Sequence, residues 1–286
     1  MSETPAAEDL NARRRDLVGA RRRAEILQLL QTGDNNAMSV EQIAERFGVS
    51  FATVRRDLAR LHQEHPITRT YGGVTLTGPV GELSINQRHQ ERSPEKEAIG
   101  RLAADLVQDG DVIIVDAGTT TEAVARNLIG TELTVFTNGI GAINILMHND
   151  SISVVVLGGR LRSINETITG SEAESMLKSV VASHAFIGVD AIDPEFGVAS
   201  RTLEQSRLKS LMMQRARNVV IVADSTKLQP RELTYWSELP EKWRLITDDA
   251  ADPTALDALR ASGSVQIDLA SPLRVLATTD TAKGEN

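Results

Sequence analysis

The segment Asp116-Ala117-Gly118-Thr119-Thr120-Thr121 carries the most specific chemistry in the chain. A glycine and three threonines ahead of a helix offer free backbone N–H groups and hydroxyls, the donors that surround a phosphate. A well-capped helix would need only one of those threonines. No Gly-Lys-Ser/Thr follows, so the segment is not a P-loop, and the Gly-x-Gly-x-x-Gly spacing of a dinucleotide site is absent. The pattern predicts a small phosphate ester rather than a nucleotide.

A second chemistry lies upstream, in Val49-Ser50-Phe51-Ala52-Thr53-Val54-Arg55-Arg56-Asp57-Leu58. On a helix at about 100° per residue, Val54, Leu58 and Leu61 form one apolar stripe. Arg56 points away from it, with Ala52, Thr53 and Arg60 around it and Arg55 on the flank. Ser50 is a good N-cap, and Gly48 suits a tight bend before it. A small residue and a hydroxyl at the helix start, beside two arginines, suit a helix that enters a DNA major groove N-terminus first. Base reading is assigned to Ala52, Thr53, Arg55 and Arg56, with Ser50 and Arg60 in the same DNA-facing set. Arg21, Arg22, Arg23 and Arg69 are candidate phosphate contacts, which fix register rather than sequence. Asp57 is expected to be structural, pairing with Arg60 at i,i+3.

The elements that must position these residues follow from periodicity. Residues 24–30 predict a first helix, broken by Gly33-Asp34-Asn35-Asn36. Ser39 caps a second helix over Val40 to Phe47, with Gln42 completing a capping box. The third helix runs from Phe51 to Gln63, and Pro66 ends the helical region. Residues 67–76 alternate as a small β-wing that turns at Gly72-Gly73. Three helices and a wing make a winged helix-turn-helix over residues 21–76. Residues 1–20 form an N-terminal extension and 77–94 a linker.

Residues 95–270 alternate short β-branched runs with helices, which predicts a Rossmann-like α/β domain with a mostly parallel sheet covered on both faces. Strands are expected at residues 111–115, 133–136, 153–157, 185–189, 219–223 and 245–247. Helices are expected over 121–128, 142–147, 172–181, 203–215 and 254–261. The strands end in Asp116, Thr137-Asn138, Gly158-Gly159, Asp190 and Asp224-Ser225-Thr226-Lys227. One such residue would be a cap or a turn. Five in succession on the carboxyl rim, where open α/β sheets bind ligands, predict a site. Residues 271–286 show no periodicity and are expected to be a disordered tail.

Composition bounds the class. The 286 residues are 41% hydrophobic and 24% charged, ordinary for a globular chain of roughly two domains. Cysteine is absent, which excludes disulfides and thiolate metal sites. Nothing in the pattern calls for a cofactor or a metal. Apolar runs such as Val112 to Val115 are too short to span a bilayer, and the first residues lack the regions of a signal peptide. The expectation is a cytoplasmic protein. The net charge of −8 hides an asymmetry. Residues 11–75 carry 11 basic and 7 acidic residues, whereas residues 76–286 carry 20 basic and 29 acidic. Every basic residue in the first block is arginine, whose planar fork suits phosphate and guanine.

Thr53-Val54-Arg55-Arg56-Asp57-Leu58 together with Arg69-Thr70-Tyr71-Gly72-Gly73-Val74 resembles the N-terminal signature of the DeoR family of bacterial sugar-metabolism repressors. His62-Gln63-Glu64-His65-Pro66 stands where that family has a glutamate and a glycine. The resemblance continues through Asp116 to Thr121, Thr137-Asn138, Gly158-Gly159, Gly188-Val189-Asp190, Glu204 with Lys209, and Asp224 to Lys227. It implies a sensor domain similar to ribose-5-phosphate isomerase and a phosphorylated sugar as effector. By that resemblance Gly118, Thr119, Thr120 and Thr121 hold the phosphate. Asp116, Asn138, Gly158, Gly159, Asp190, Glu204 and Lys227 line the rest of the effector site.

Two functions compete at this level. One is a transcriptional repressor of carbohydrate-metabolism genes, bound to double-stranded operator DNA and modulated by the sugar phosphate. The other is a sugar-phosphate isomerase fused to a DNA-binding domain, with Asp190, Glu204 or Asp224 as general base. The winged helix favours the repressor. One module offers few contacts for a long operator, so a homodimer or homotetramer is expected.

Overall fold

The computed structural model describes residues 19–27, 29–30, 37–64, 67–70, 72–76 and 82–272. Most of the expected N-terminal extension, Pro66, the start of the linker and the tail from residue 273 lie outside these. The chain divides into two units, with the boundary between Glu91 and Arg92.

In the first unit, α1 (residues 19–27 and 29–30) precedes β1 (Ala37–Ser39), α2 (Val40–Phe47), α3 (Phe51–Glu64), β2 (Ile67–Thr70), β3 (Gly73–Leu76) and α4 (Ile85–Gln90). The capping box expected for α2 is present: Gln42 N donates to Ser39 Oγ at 3.1 Å and Ser39 N to Gln42 Oε1 at 2.8 Å. Gly48 closes α2 in the left-handed conformation at φ 60°. Ser50 Oγ accepts Thr53 N at 3.2 Å at the start of α3. Val54, Leu58 and Leu61 meet Ile26, Leu30, Ile43, Ile67 and Val74 in one core. The amphipathic stripe is thus what packs α3 down and leaves its other face to solvent.

The wing has one strand more than expected. β1 pairs antiparallel with β3, giving the order β1-β3-β2. This explains the paired glycines. Gly72 turns at φ 105°, and any Cβ on Gly73 would strike the backbone of Met38 in β1. Three residues too short to show alternation make β1 unreadable in sequence.

The second unit comprises α5 (Ser93–Ala104), β4 (Val112–Val115), α6 (Thr119–Asn127), β5 (Leu133–Thr137), α7 (Ile140–Leu146), β6 (Ile152–Val156), β7 (Arg160–Arg162), β8 (Thr167–Thr169), α8 (Ser171–Leu177), β9 (Ala182–Gly188), β10 (Ala191–Asp193), β11 (Gly197–Ser200), α9 (Leu203–Gln214), β12 (Ala216–Val222), a 3-10 turn (Ser225–Leu228), β13 (Tyr235–Ser237), β14 (Lys242–Asp248), α10 (Pro253–Ser262) and β15 (Ser264–Ala270). Seven strands form one parallel sheet in the order β15-β14-β12-β9-β4-β5-β6. Side chains alternate along β4. Ile113 and Val115 join the core under α5, α6 and α7, while Ile114 joins the core under α8, α9 and α10. The sheet is therefore covered on both faces, as expected.

Strand order decides where the site falls. From β4 the chain builds outward through β5 and β6, then returns to place β9 on the other side of β4. The switch point of this sheet lies between β4 and β9, the position at which open α/β sheets leave a crevice. Besides α5, the hairpin β7-β8, the antiparallel sheet β10-β11-β13 and the edge strand β15 were not expected. The expected linker also needs correcting. Residues 85–90 are helical, capped by Ser84, which accepts Gln87 N while Gln87 Oε1 accepts Ser84 N at 2.9 Å. The Ser-x-x-Gln signal for that helix stood in the sequence. α5 begins at Ser93, inside the same expected linker.

Candidate functional site

On α3, Ala52, Arg55, Arg56 and Arg60 are exposed and Thr53 is half-buried, around an exposed Phe51. The side opposite the core stripe therefore presents three exposed arginines, Arg55, Arg56 and Arg60. Ser50 is engaged at the helix start, and its hydroxyl lies 3.0 Å from Thr53 Oγ1. Arg55 also faces the carboxyl of Glu41, which is held below its usual range by its own backbone hydrogen bond and the Ser39 hydroxyl, with Arg55 adding to the effect.

The arginines of α1 divide. Arg21 is exposed and pairs with Glu25 at 3.1 Å. Arg22 and Arg23 turn inward onto the buried Asp57, at 2.7 and 3.4 Å. Asp57 thus ties α3 to α1 through partners more than thirty residues away, beyond the expected local pair with Arg60. Arg22, expected as a phosphate contact, has its guanidinium committed to that carboxylate with 15% of the side chain exposed. Arg69 lies on β2 of the wing, and its side chain is outside the described set.

In the sensor unit the expected effector residues gather along the carboxyl rim. Asp116 follows β4, and its N–H continues the ladder to Phe186 O at 3.0 Å. Ala117 N donates to Asn138 Oδ1 at 3.0 Å, and Asn138 Nδ2 donates to Ile168 O at 3.2 Å. The Asn138 amide therefore clamps three loops of the rim. Gly118 begins α6 at φ 148° with no side-chain cap, and Gly139 begins α7 in the same uncapped way. The α7 start is already occupied, since Gly139 N donates to Thr137 Oγ1 at 3.2 Å and Ile140 N to Glu166 O at 3.0 Å. The uncapped first turn of α6 is the favourable place for an anion. Thr119 and Thr120 are nearly buried within that first turn. Thr121 is fully buried and donates its hydroxyl to Gly118 O at 2.8 Å, so its hydroxyl proton is spent inside the helix.

The glycines after β6 have a packing role. A Cβ on Gly159, at φ 137°, would meet the carbonyl of Thr169 in the β7-β8 hairpin. Gly158 is half-buried beside Glu172. Asp190 is buried, 3.9 Å from Arg201 Nε. Lys227 is half-buried in the 3-10 turn, where Asp224 accepts Thr226 N at 3.1 Å and is also bonded by the Thr226 hydroxyl. Glu204 is exposed on the first turn of α9.

The rim holds two further residues: Lys209, which the resemblance names beside Glu204 without a role, and Arg201. Lys209 Nζ is buried, ion-paired to Asp116, and donates to Gly188 O at 2.6 Å. The signal was its position: Gln205, Lys209, Met212 and Met213 share one buried face of α9 at i, i+3, i+4 spacing. Arg201 has 17% of its side chain exposed, and its Nε has no hydrogen-bond partner. Ser200 Oγ and Gln205 Oε1 beside it are buried and equally unspent. Among the described residues, no cluster of His, Cys, Asp or Glu could hold a metal ion. No helix among them is long and apolar enough to cross a membrane.

The comparisons with known proteins agree with this division. The chain is 36% identical over 230 residues to the HTH-type transcriptional repressor GlcR of Bacillus subtilis, covering 80% of this chain and 89% of that one. It is 27% identical over 233 residues to the glycerol-3-phosphate regulon repressor of Escherichia coli, covering 81% and 92%. Ribose 5-phosphate isomerase A of Methanocaldococcus jannaschii superposes with a TM-score of 0.35 at 18% identity, covering 46% of this chain and 52% of that one. Residues 22–79 match the model of the DeoR-like helix-turn-helix domain, and residues 91–249 match that of the DeoR C terminal sensor domain. These two matches, in order over the winged helix and the α/β unit, make the chain a member of the DeoR family of DNA-binding transcriptional regulators.

Proposed function

We propose that this regulator represses carbohydrate-metabolism genes and that a phosphorylated sugar, bound at the β4/β9 switch point, changes its affinity for operator DNA. The observation that carries the reading is the uncapped N-terminus of α6 beside the buried Asp116–Lys209 pair. The open N–H groups of the first turn suit the phosphate, while Asp190, Arg201 and Lys227 supply donors and acceptors for a hydroxylated ligand. A relative named for glycerol 3-phosphate fits a phosphate ester as effector. Arg55 and Arg56 read base edges, and Arg21, Arg60 and Arg69 contact the backbone phosphates. A homodimer or homotetramer presents repeated α3 helices to half-sites.

The isomerase alternative is disfavoured by the carboxylates it would need. A general base must be free to take a proton near the sugar carbon. Asp224 accepts both the backbone N–H and the hydroxyl of Thr226, and Asp190 faces Arg201.

A thermal-shift panel of glycerol 3-phosphate, ribose 5-phosphate, glucose 6-phosphate and the free sugars tests the effector assignment. A rise in Tm with a phosphorylated member, absent with its free sugar and lost in Thr120→Asp, is the expected outcome. Equal shifts from free and phosphorylated sugars would sink the cradle. Turnover of any member by the full chain would restore the enzyme.

A further inference from the structure

Arg92 is the first residue of the sensor unit and stands at φ 54°. A non-glycine residue keeps that left-handed conformation only where its surroundings over-determine it. The guanidinium supplies the constraint. Its Nη2 donates to Asp248 Oδ1 at 2.7 Å and to Ser225 Oγ at 3.0 Å. Asp248 is fully buried at the end of β14, and its second oxygen accepts Ser225 N at 2.7 Å. One buried carboxylate therefore holds both Arg92 and the first residue of the 3-10 turn that carries Lys227. Glu95 lies 3.6 Å from the same nitrogen.

On its other side Arg92 is one residue, Glu91, from the end of α4. Within the DNA-binding unit, α4 packs against α3, the helix that bears Arg55 and Arg56. The chain thus runs from the recognition helix to α4, and then directly to a residue bonded to the carboxyl rim of the sensor sheet.

We infer that Arg92 is a positioning residue that passes effector occupancy of the Ser225–Leu228 turn to α4, and through it to the DNA-binding unit. The inference rests on the effector reading above. Any shift of the turn moves the Ser225 hydroxyl relative to Asp248, and Arg92 is bonded to both. A buried, charge-assisted bond has few tolerated geometries, so the change is passed on as a change at residue 92 rather than absorbed. Coupling requires an element that both sites bias, and the Arg92 peptide, bonded to Asp248 and Ser225 on one side and one residue from α4 on the other, is the element assigned to it.

The test uses the full chain as wild type, Arg92→Gln and Arg92→Gly. Glycine suits φ 54° and removes the tether while also freeing the backbone, whereas Arg92→Gln keeps the Cβ restriction, so a loss of response common to both is assigned to the tether. Hydrogen exchange is followed with and without whichever of glycerol 3-phosphate, ribose 5-phosphate or glucose 6-phosphate shifts Tm most. Affinity is measured for a duplex selected by the wild-type chain from a random pool. The expected result is slower exchange at 118–121 and 225–228 in every protein that folds, with a ligand response at 85–90 only in wild type. The ligand should weaken duplex binding by about fivefold or more in wild type and by less than about twofold in both variants. An undiminished response at 85–90 in either variant overturns the coupling role and leaves the effector site standing. No slowing at 118–121 in wild type with any of the three compounds overturns both.

Discussion

The ammonium of Lys209 is bonded at once to the carboxylate of Asp116 and, at 2.6 Å, to the carbonyl oxygen of Gly188. One side chain of α9 therefore joins the ends of β4 and β9, the two strands that flank the switch point. Both partners are nearly fully buried. Removing one partner of a buried pair strands the other charge, at a cost of about 3–5 kcal/mol. Lys209→Met should lower unfolding stability by about that amount in urea titration. The double variant Asp116→Asn, Lys209→Met should recover part of the loss. If Lys209→Met costs no more than a surface substitution, the pair does not hold the rim.

Arg56 and Asp57 are neighbours with opposite duties. Arg56 is exposed, whereas Asp57 is buried between Arg22 and Arg23. Arg56→Ala should weaken specific DNA binding by about 1–3 kcal/mol and leave Tm unchanged. Asp57→Ala should lower Tm of the full chain and weaken specific and random duplexes alike, because it loosens α1 from α3. Equal loss on random DNA for Arg56→Ala would move Arg56 to the phosphate class.

Gly100 lets α5 lie against α6. A Cβ at this position would overlap the backbone of Ala123, and both residues are buried. Gly100→Val should cost about 1–3 kcal/mol through overpacking, and it should disturb α6, whose N-terminus is the proposed phosphate cradle. The readout is Tm together with the sugar-phosphate shift. Unchanged values for both would mean that α5 is free to move away.

His184 sits on β9 with Nδ1 buried and unbonded, 3.8 Å from Asp111. Burial holds its pKa below the ordinary 6.5, with Arg244 acting in the same direction and Asp111 opposing. A depressed histidine pKa means that the unfolded chain binds the proton more readily, so stability is lost as pH falls through the ordinary value. Between about pH 7 and about pH 5, Tm of the wild type should fall more than that of His184→Gln. Parallel curves would show that His184 is solvated in the fold.

Much of the site was legible because it rests on local chemistry. The capping box of Ser39 and Gln42, the stripe of Val54, Leu58 and Leu61, and the glycine-threonine start of α6 are all specified within a few residues. The same locality explains the misses. Lys209 belongs to a buried face whose purpose is set by Asp116, ninety-three residues earlier. Arg22 reads as one more surface cation until Asp57 is brought against it. β1 and β10 are too short to carry a period, and each forms only because a neighbouring strand offers it hydrogen bonds.

The sequence by itself determined the two units, the cationic face of α3 and the list of polar residues that end the strands. Helix and strand periodicity and capping chemistry are written in neighbouring residues. Only the tertiary structure decided which of those polar residues stand next to one another along the rim. That depends on strand order, and the order β9-β4-β5 follows from burying both faces of the sheet together rather than from any one segment. The same long-range packing turned Glu204 outward, Lys209 inward, and fastened Arg92 to Asp248.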